Sequence, residues 1–421
     1  MMVQAFYTGI SGLKSNQSAI DVESDNIANI NTTGFRASNP SFASLFSKNI
    51  NTPNTASNVS SEEGLGTRMY ATADMIQTQG ARALTDRNTD LAIDGDGWFG
   101  VQNGDETFYT RAGDFVFDKN NDLVTADGMY VLGTMTQNIQ NNVLTKEVSE
   151  TKLGPIDTQQ KLRFPKFLYY PPVPTTTSSF FGNLNTTDST REFGATVIDP
   201  QNNKNNLKLT FTKSKEQIAP GVQWDVVAKT ISSDGERVYD TQEGKVFFDE
   251  KGALLKSTLT TIDNNGAKVN IDLGKDFTGL ISVNGKTTNA SSKSDGVIGG
   301  ELEGYQINRN AEVIATFTNG KQSSVGKIAL YHFQNDQGLE KISNTRYKVS
   351  SNSGQPLFYQ DQNGQDILGA TVHNFQLERS NVLLENSLTN LIVLQRSFDA
   401  NSKTITTADQ MIQKALSMDA S

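Results

Sequence analysis

Residues 379–418 read RSNVLLENSLTNLIVLQRSFDANSKTITTADQMIQKALSM, and within them Leu384, Leu391, Phe398, Ile405 and Ile412 place a large apolar side chain at every seventh position. Such a period is the seam of a helix that lies along another helix. The half-steps Leu388, Gln395, Ser402, Asp409 and Leu416 are mixed, so only half of a two-stranded seam is present. Leu394, Ala408 and Ala415 fall on an adjoining stripe and widen the apolar face. No Gly follows Gly369 and no Pro follows Pro356, so nothing in the sequence breaks this helix.

The N-terminal segment repeats the rule, with Phe6, Leu13, Ile20 and Ile27 seven apart and Ile10, Gln17 and Ser24 at the half-steps. A helix that faces a globular core drifts off a strict heptad, so the shared spacing favours the two ends packing on each other as a short coiled coil. Gly9 and Gly12 lower the helix propensity of the first segment, and four large apolar side chains do not offset the entropy of ordering it alone. Both ends are therefore expected to be disordered in an isolated chain and to become helical when neighbouring copies cover their apolar stripes. Asn26, Asn29, Asn31 and Gly34 are expected to end the first helix in a tight turn.

Between the ends the punctuation changes. Asp94-Gly95, Asn103-Gly104, Asp127-Gly128, Asp234-Gly235, Asn265-Gly266, Asn284-Gly285, Asn319-Gly320 and Asn363-Gly364 are hairpin turn pairs. Short alternating runs such as Leu207–Phe211 and Val269–Leu273 lie between them, and a hairpin is expected from Val313–Phe317, a turn at Asn319-Gly320, and Ile328–Phe333. Asn39–Glu63, rich in Ser, Asn and Thr, reads as an extended connector. Phe164–Thr177 holds four of the ten prolines and reads as a semi-rigid crossing, with a second crossing at Lys286–Ser294. The fold class is thus mainly β with α-helical termini, in nested discontinuous domains: residues 1–35 with 378–421 helical, 36–70 a linker, 71–162 with 297–377 an inner β domain, and 163–296 an inserted outer β domain.

The chain of 421 residues has a net charge of −9 and scattered Lys and Arg, which excludes an electrostatic footprint for nucleic acid. It has no run of eighteen apolar residues and no signal-peptide pattern at its start, which by itself points to the cytoplasm. Complete absence of cysteine points the other way, to a protein that passes through an oxidising space, and rules out disulfides and thiolate chemistry. The two histidines, His332 and His373, are not near a carboxylate cluster of ligand spacing, so no metal site is expected. Asp94-Gly95-Asp96-Gly97 fails as a calcium loop because Trp98 and Phe99 stand where a ligand and a Gly are needed. Gly9-Ile10-Ser11-Gly12 is no nucleophile elbow. Neither an enzyme nor a cofactor is expected.

Three motifs carry a resemblance. Thr8–Leu13 followed by DNIANINTTGFR (25–36) resembles the N-terminal signature of the bacterial flagellar rod and hook axial proteins. DLAIDGDGWF (90–99), with its Asp90, Gly97 and Phe99, and YTRAGDF (109–115) are similar to that family's β-domain motif. LERSNV (377–382), with Ser380 and Asn381, through QRSFDANS (395–402), with Gln395, Arg396 and Asn401, is similar to its C-terminal one; Phe35 belongs to the first motif. The length, Thr175–Asn185 and Ser41–Phe46 resemble the hook members more than the shorter rod members. Trp98 and Arg36 depart from the family's usual Phe and Lys, and Asn51–Glu63 is a polar stretch that the motifs do not define. The resemblance implies a structural subunit exported unfolded through the flagellar export apparatus without a cleaved signal, functioning outside the cell in a curved hollow homopolymer that joins rod to filament. It further implies rod proteins, a hook cap protein and hook-filament junction proteins as partners, and neither nucleic acid nor membrane insertion. The competing readings are a rod protein of the same family, a secreted β-rich adhesin, or a glycan-active enzyme with helical ends.

Overall fold

A computed structural model of the chain describes residues 2–45, 47–49, 62–64, 66–285, 290–343 and 345–419. Phe46, residues 50–61 of the expected connector and 286–289 of the second crossing lie outside them. The long helices α1 (Met2–Ala28) and α2 (Leu384–Asp419) stand at the two ends, and what lies between is mainly strand. At 36 residues, α2 is a rod of about 54 Å.

Period-two alternation builds the outer body. Thr190–Ile198, Lys204–Lys213, Val222–Ser232, Val238–Phe248 and Leu254–Ser257 form an antiparallel meander, and alternate residues of its strands are buried. A second sheet of Thr261–Asn264, Ala267–Asp272, Thr177–Asn183 and Leu280–Ile281 shares its core, made of Phe180, Phe193, Phe211, Trp224 and Phe248 among others. The Asn265-Gly266 turn shows why the dipeptide was legible: φ is +52° and +94°, and Asn264 pairs directly with Ala267, a two-residue turn with both centres left-handed.

A separate core lies nearer the helices, built from Trp98–Asn103, Glu106–Thr110 and Tyr130–Met135 together with Gly300–Ile307, Glu312–Phe317 and Gln322–Ile328. Phe99 and Phe115 meet edge to face at 5.0 Å within it. The chain passes between the two cores on paired segments: Tyr169 and Tyr170 pair with Glu301 and Gly300, Val173 bridges Val297, and Ser178–Phe181 pair with Ser291–Ser294.

One expectation is corrected. The return strand after Asn319-Gly320 is Gln322–Ile328 and not Ile328–Phe333. Its serines are buried because they are bonded: Ser323 Oγ accepts from the Val148 N–H at 3.0 Å, and the Ser324 and Thr151 hydroxyls lie 2.5 Å apart. The apolar run that follows is released to pair elsewhere, Leu330 with Phe99 and Tyr331 with Trp98. At the start of the expected connector the chain is extended, and Ser38–Ser44 pairs antiparallel with Thr67–Asp74. That ribbon also touches α1, where Ser15 Oγ donates to Thr67 O at 3.0 Å.

Candidate functional site: the motif junction and the helix pair

The three sequence motifs, hundreds of residues apart, meet in one place. α1 stops at Ala28, the Asn29 N–H still donating to Asp25 O at 3.0 Å, and the turn closes at Gly34 with φ +69°. A Cβ on Gly34 would lie 2.5 Å from the Ala112 nitrogen, so the first motif rests directly on the backbone of the second. The Gly34 N–H donates to Glu378 O at 2.8 Å, which brings in the third.

Phe35, Ala37 and Val382 form a small buried cluster at this point, and Asn381 ties it together. Its Oδ1 accepts from the Ala37 N–H at 2.7 Å, and its Nδ2 donates to Met75 O at 2.9 Å and Thr78 O at 2.8 Å. Asn26 does the same for the helix end, accepting from the Ser38 N–H at 2.9 Å and donating to Ser38 O at 2.8 Å. Each amide pairs a loop's backbone groups, and those of Ser38 would otherwise be buried without partners.

Charge is concentrated here as well. Glu378 and Arg36 are both fully buried and form an ion pair at 2.7 Å; Arg111, also buried, stands 3.9 Å from the other carboxylate oxygen. The Gly80 N–H donates to Glu378 Oε1 at 2.9 Å. The Arg36 contact is close but poorly aligned, because none of the three guanidinium nitrogens has an acceptor in hydrogen-bond geometry among the described residues. Burial, and then Arg36 beside it, push the Arg111 guanidinium down to about 10, still cationic at neutral pH. Its plane lies over Trp98 at 5.3 Å.

Beyond Arg111 the network reaches Asp96, whose Oδ2 is 3.1 Å from Nδ1 of the fully buried His332. The His332 bond holds the Asp96 carboxyl at about 2, against the opposing effect of burial. Nε2 of His332 is 2.7 Å from Leu368 O, and His373 lies 3.5 Å from Asp94. The sequence reading thus missed that both histidines sit beside carboxylates of the Asp94-Gly95-Asp96-Gly97 turn; more than two hundred residues separate the partners, and only folding joins them. Among the described residues no group of three His, Cys, Asp or Glu side chains is placed to hold a metal ion.

Along the helix pair the seam differs from the one expected. α1 and α2 run antiparallel: Gly9 faces Ile405, Gly12 faces Asn401, and Asn390 Nδ2 donates to Glu23 Oε1 at 2.9 Å. On α1 the buried positions are small or polar, namely Gly9, Gly12, Ser15, Ala19, Glu23 and Asn26, and Phe6, Ile10, Leu13, Ile20 and Ile27 flank them half-buried. On α2, Leu391, Phe398, Ile405 and Ile412 are half-buried as one row. The second row is Ser387, Leu394, Asn401 and Ala408, whereas Leu388, Gln395, Arg396, Asp409 and Leu416 are exposed. Small residues win the contact because a Cβ at Gly9 would come within 2.8 Å of Ile405. The remaining motif residues are structural in the same sense: Asp90 is buried against Arg87, Gly97 packs on the His332 ring, and Ser380 Oγ accepts from the Val382 N–H at 3.3 Å. Asn31 is exposed.

Comparison with known proteins places these features. Residues 6–36 match the family model for flagella basal body rod protein, 92–154 that for the flagellar hook protein FlgE/F/G D1 domain, and 375–418 that for the flagellar basal body rod FlgEFG protein C-terminal segment. The flagellar hook protein FlgE of Borreliella burgdorferi is 30% identical over 98% of this chain and 99% of its own. The corresponding proteins of Treponema pallidum and Salmonella typhimurium are 29% and 27% identical, covering 99% and 98% of this chain and the whole of each relative. In fold the chain is similar to the crystal structure of Helicobacter pylori flagellar hook protein FlgE2, with a TM-score of 0.51 and 16% identity over 70% of this chain and all of that one. The chain belongs to the flagellar hook protein FlgE family and is a structural subunit of the flagellar hook.

Proposed function

We propose that copies of this chain polymerise into a curved hollow tube that transmits torque from rod to filament, with α1 and α2 forming its continuous inner wall as a coiled coil. The observation that carries the reading is the set of exposed apolar side chains along α2. Leu384, Leu388, Ile392, Met411 and Leu416 are between 43% and 66% exposed. One chain leaves these side chains in water, and further copies would cover them.

The two cores are read as nested domains, 71–162 with 297–377 inside and 163–296 outside, joined by the paired crossing at Val173 and Val297. In this reading the helices carry continuity and the junction couples them to the body, while the polar outer surfaces let neighbours slide as the tube bends. The role is mechanical and not enzymatic. Export without a cleaved signal, an extracellular place in the flagellum, and contacts with rod, hook cap and hook-filament junction proteins follow from the same reading.

The test is electron microscopy of cells that lack their own hook protein and express this chain with an epitope tag. Labelled hooks are expected, and none from a chain lacking residues 381–421. Label confined to the rod, or hooks built from the truncated chain, would overturn the reading.

A further inference from the structure

Glu23 is a charge without an opposite. It is 2% exposed, and both carboxylate oxygens accept only from neutral amides, Oε1 from Asn390 Nδ2 at 2.9 Å and Oε2 from Asn26 Nδ2 at 3.3 Å. No Lys, Arg or His nitrogen among the described residues pairs with it, whereas the deeply buried Asp90, Asp122 and Glu378 each face an arginine and Glu312 a lysine. A buried carboxylate left unpaired is costly.

The carboxylate lines a cavity of about 330 Å³ between α1, the start of α2 and the first strand after the junction. Asn26, Asn39, Asn381, Asn386 and Asn390 line the same cavity, so five carboxamides surround one negative charge, with Ala37, Met75 and Leu383 among the rest of the wall. A divalent cation is poorly served there, since it needs six or more oxygens and usually several carboxylates. A guanidinium or ammonium on a flexible stem is well served, because amide oxygens accept the donors that the carboxylate leaves over.

The complementary charges lie on the same two helices. Lys14, Arg396, Lys403 and Lys414 are exposed, and none takes part in an ion pair among the described residues. Arg396 projects from the face of α2 turned away from α1, and its planar fork suits a carboxylate best. We infer that the cavity at Glu23 is a docking site for a cationic side chain of a second copy's terminal helices, Arg396 foremost. The inference rests on the self-assembly reading and names the contact that fixes where one helix pair sits against the next.

The experiment measures the critical concentration for polymerisation of the full-length chain by sedimentation. Glu23→Gln, which keeps the acceptor for Asn390, is expected to raise it about tenfold, and added salt to raise the wild-type value towards the variant's. Arg396→Glu is expected to prevent assembly, and Glu23→Lys/Arg396→Glu to recover it. Circular dichroism of each monomer guards against misfolding, and the exposed Arg396 carries the test should Glu23→Lys fail to fold. Assembly of Glu23→Gln at the wild-type concentration would overturn the inference. So would failure of Arg396→Glu, and of reversal at Lys14, Lys403 or Lys414, to rescue Glu23→Lys, or to lose assembly alone. Failure of the wild type to polymerise would count against the self-assembly reading instead.

Discussion

Glu378→Gln keeps the shape of the side chain and removes a buried carboxylate that faces two buried guanidiniums, at 2.7 Å from Arg36 and 3.9 Å from Arg111. Removing one partner of a buried pair costs about 3–5 kcal/mol, because the surviving charge is left without compensation. Arg111 keeps a distant Asp96 at 3.9 Å, but Arg36 keeps no carboxylate at all among the described residues, so the upper half of that range is expected. A loss of this size is a large share of the roughly 5–15 kcal/mol that holds a typical domain. The assay is urea unfolding followed by Trp98, which lies over Arg111 at 5.3 Å, in a Trp224→Phe background that silences the outer core. Arg36→Met added to Glu378→Gln should give back part of the loss, a coupling of about 0.5–3 kcal/mol. A loss under about 1 kcal/mol, additive with Arg36→Met, would refute the claim that this pair holds the junction.

Gly34→Ala combines a left-handed φ of +69° with a Cβ 2.5 Å from the Ala112 nitrogen, and should cost about 2–5 kcal/mol. Faster amide exchange at Ala37 and Asn381, with Trp224 emission unchanged, is the expected readout. For Asp96 the folded carboxyl sits at about 2 against 3.8 for the free group, so its contribution is present above pH 3.8 and is lost as pH falls through about 2. With the side chain 41% exposed, solvent screening limits the effect to about 1 kcal/mol. The gap between wild type and Asp96→Asn in denaturation midpoint should therefore hold above pH 4 and close towards pH 2; a gap that widens on acidification would contradict the assignment.

How much of this was legible depends on whether the signal is local. The Asn265-Gly266 turn and the alternation in Leu207–Phe211 are read from neighbours in sequence, and both lie where they were expected. Gln322–Ile328 was not legible, because Ser323 and Ser324 look like surface until Val148 and Thr151 are placed against them. The heptad row from Leu384 to Ile412 announced a helix, yet a hydrophobic period does not reveal a contact made by Gly9, Gly12 and Ala19, which is defined by what is missing from the side chain. Arg36 and Glu378 stand as motif residues in the sequence, but their pairing spans most of the chain and no spacing rule predicts it.

The central claim is that the exposed apolar side chains of α2 find their cover in other copies. Amide hydrogen exchange on α1 and α2, compared between monomer and polymer, tests it directly. Assembly should slow exchange along both helices, most at Leu388, Ile392 and Leu416, whose side chains are exposed in the single chain. Full protection already present in the monomer, and unchanged in the polymer, would contradict the account.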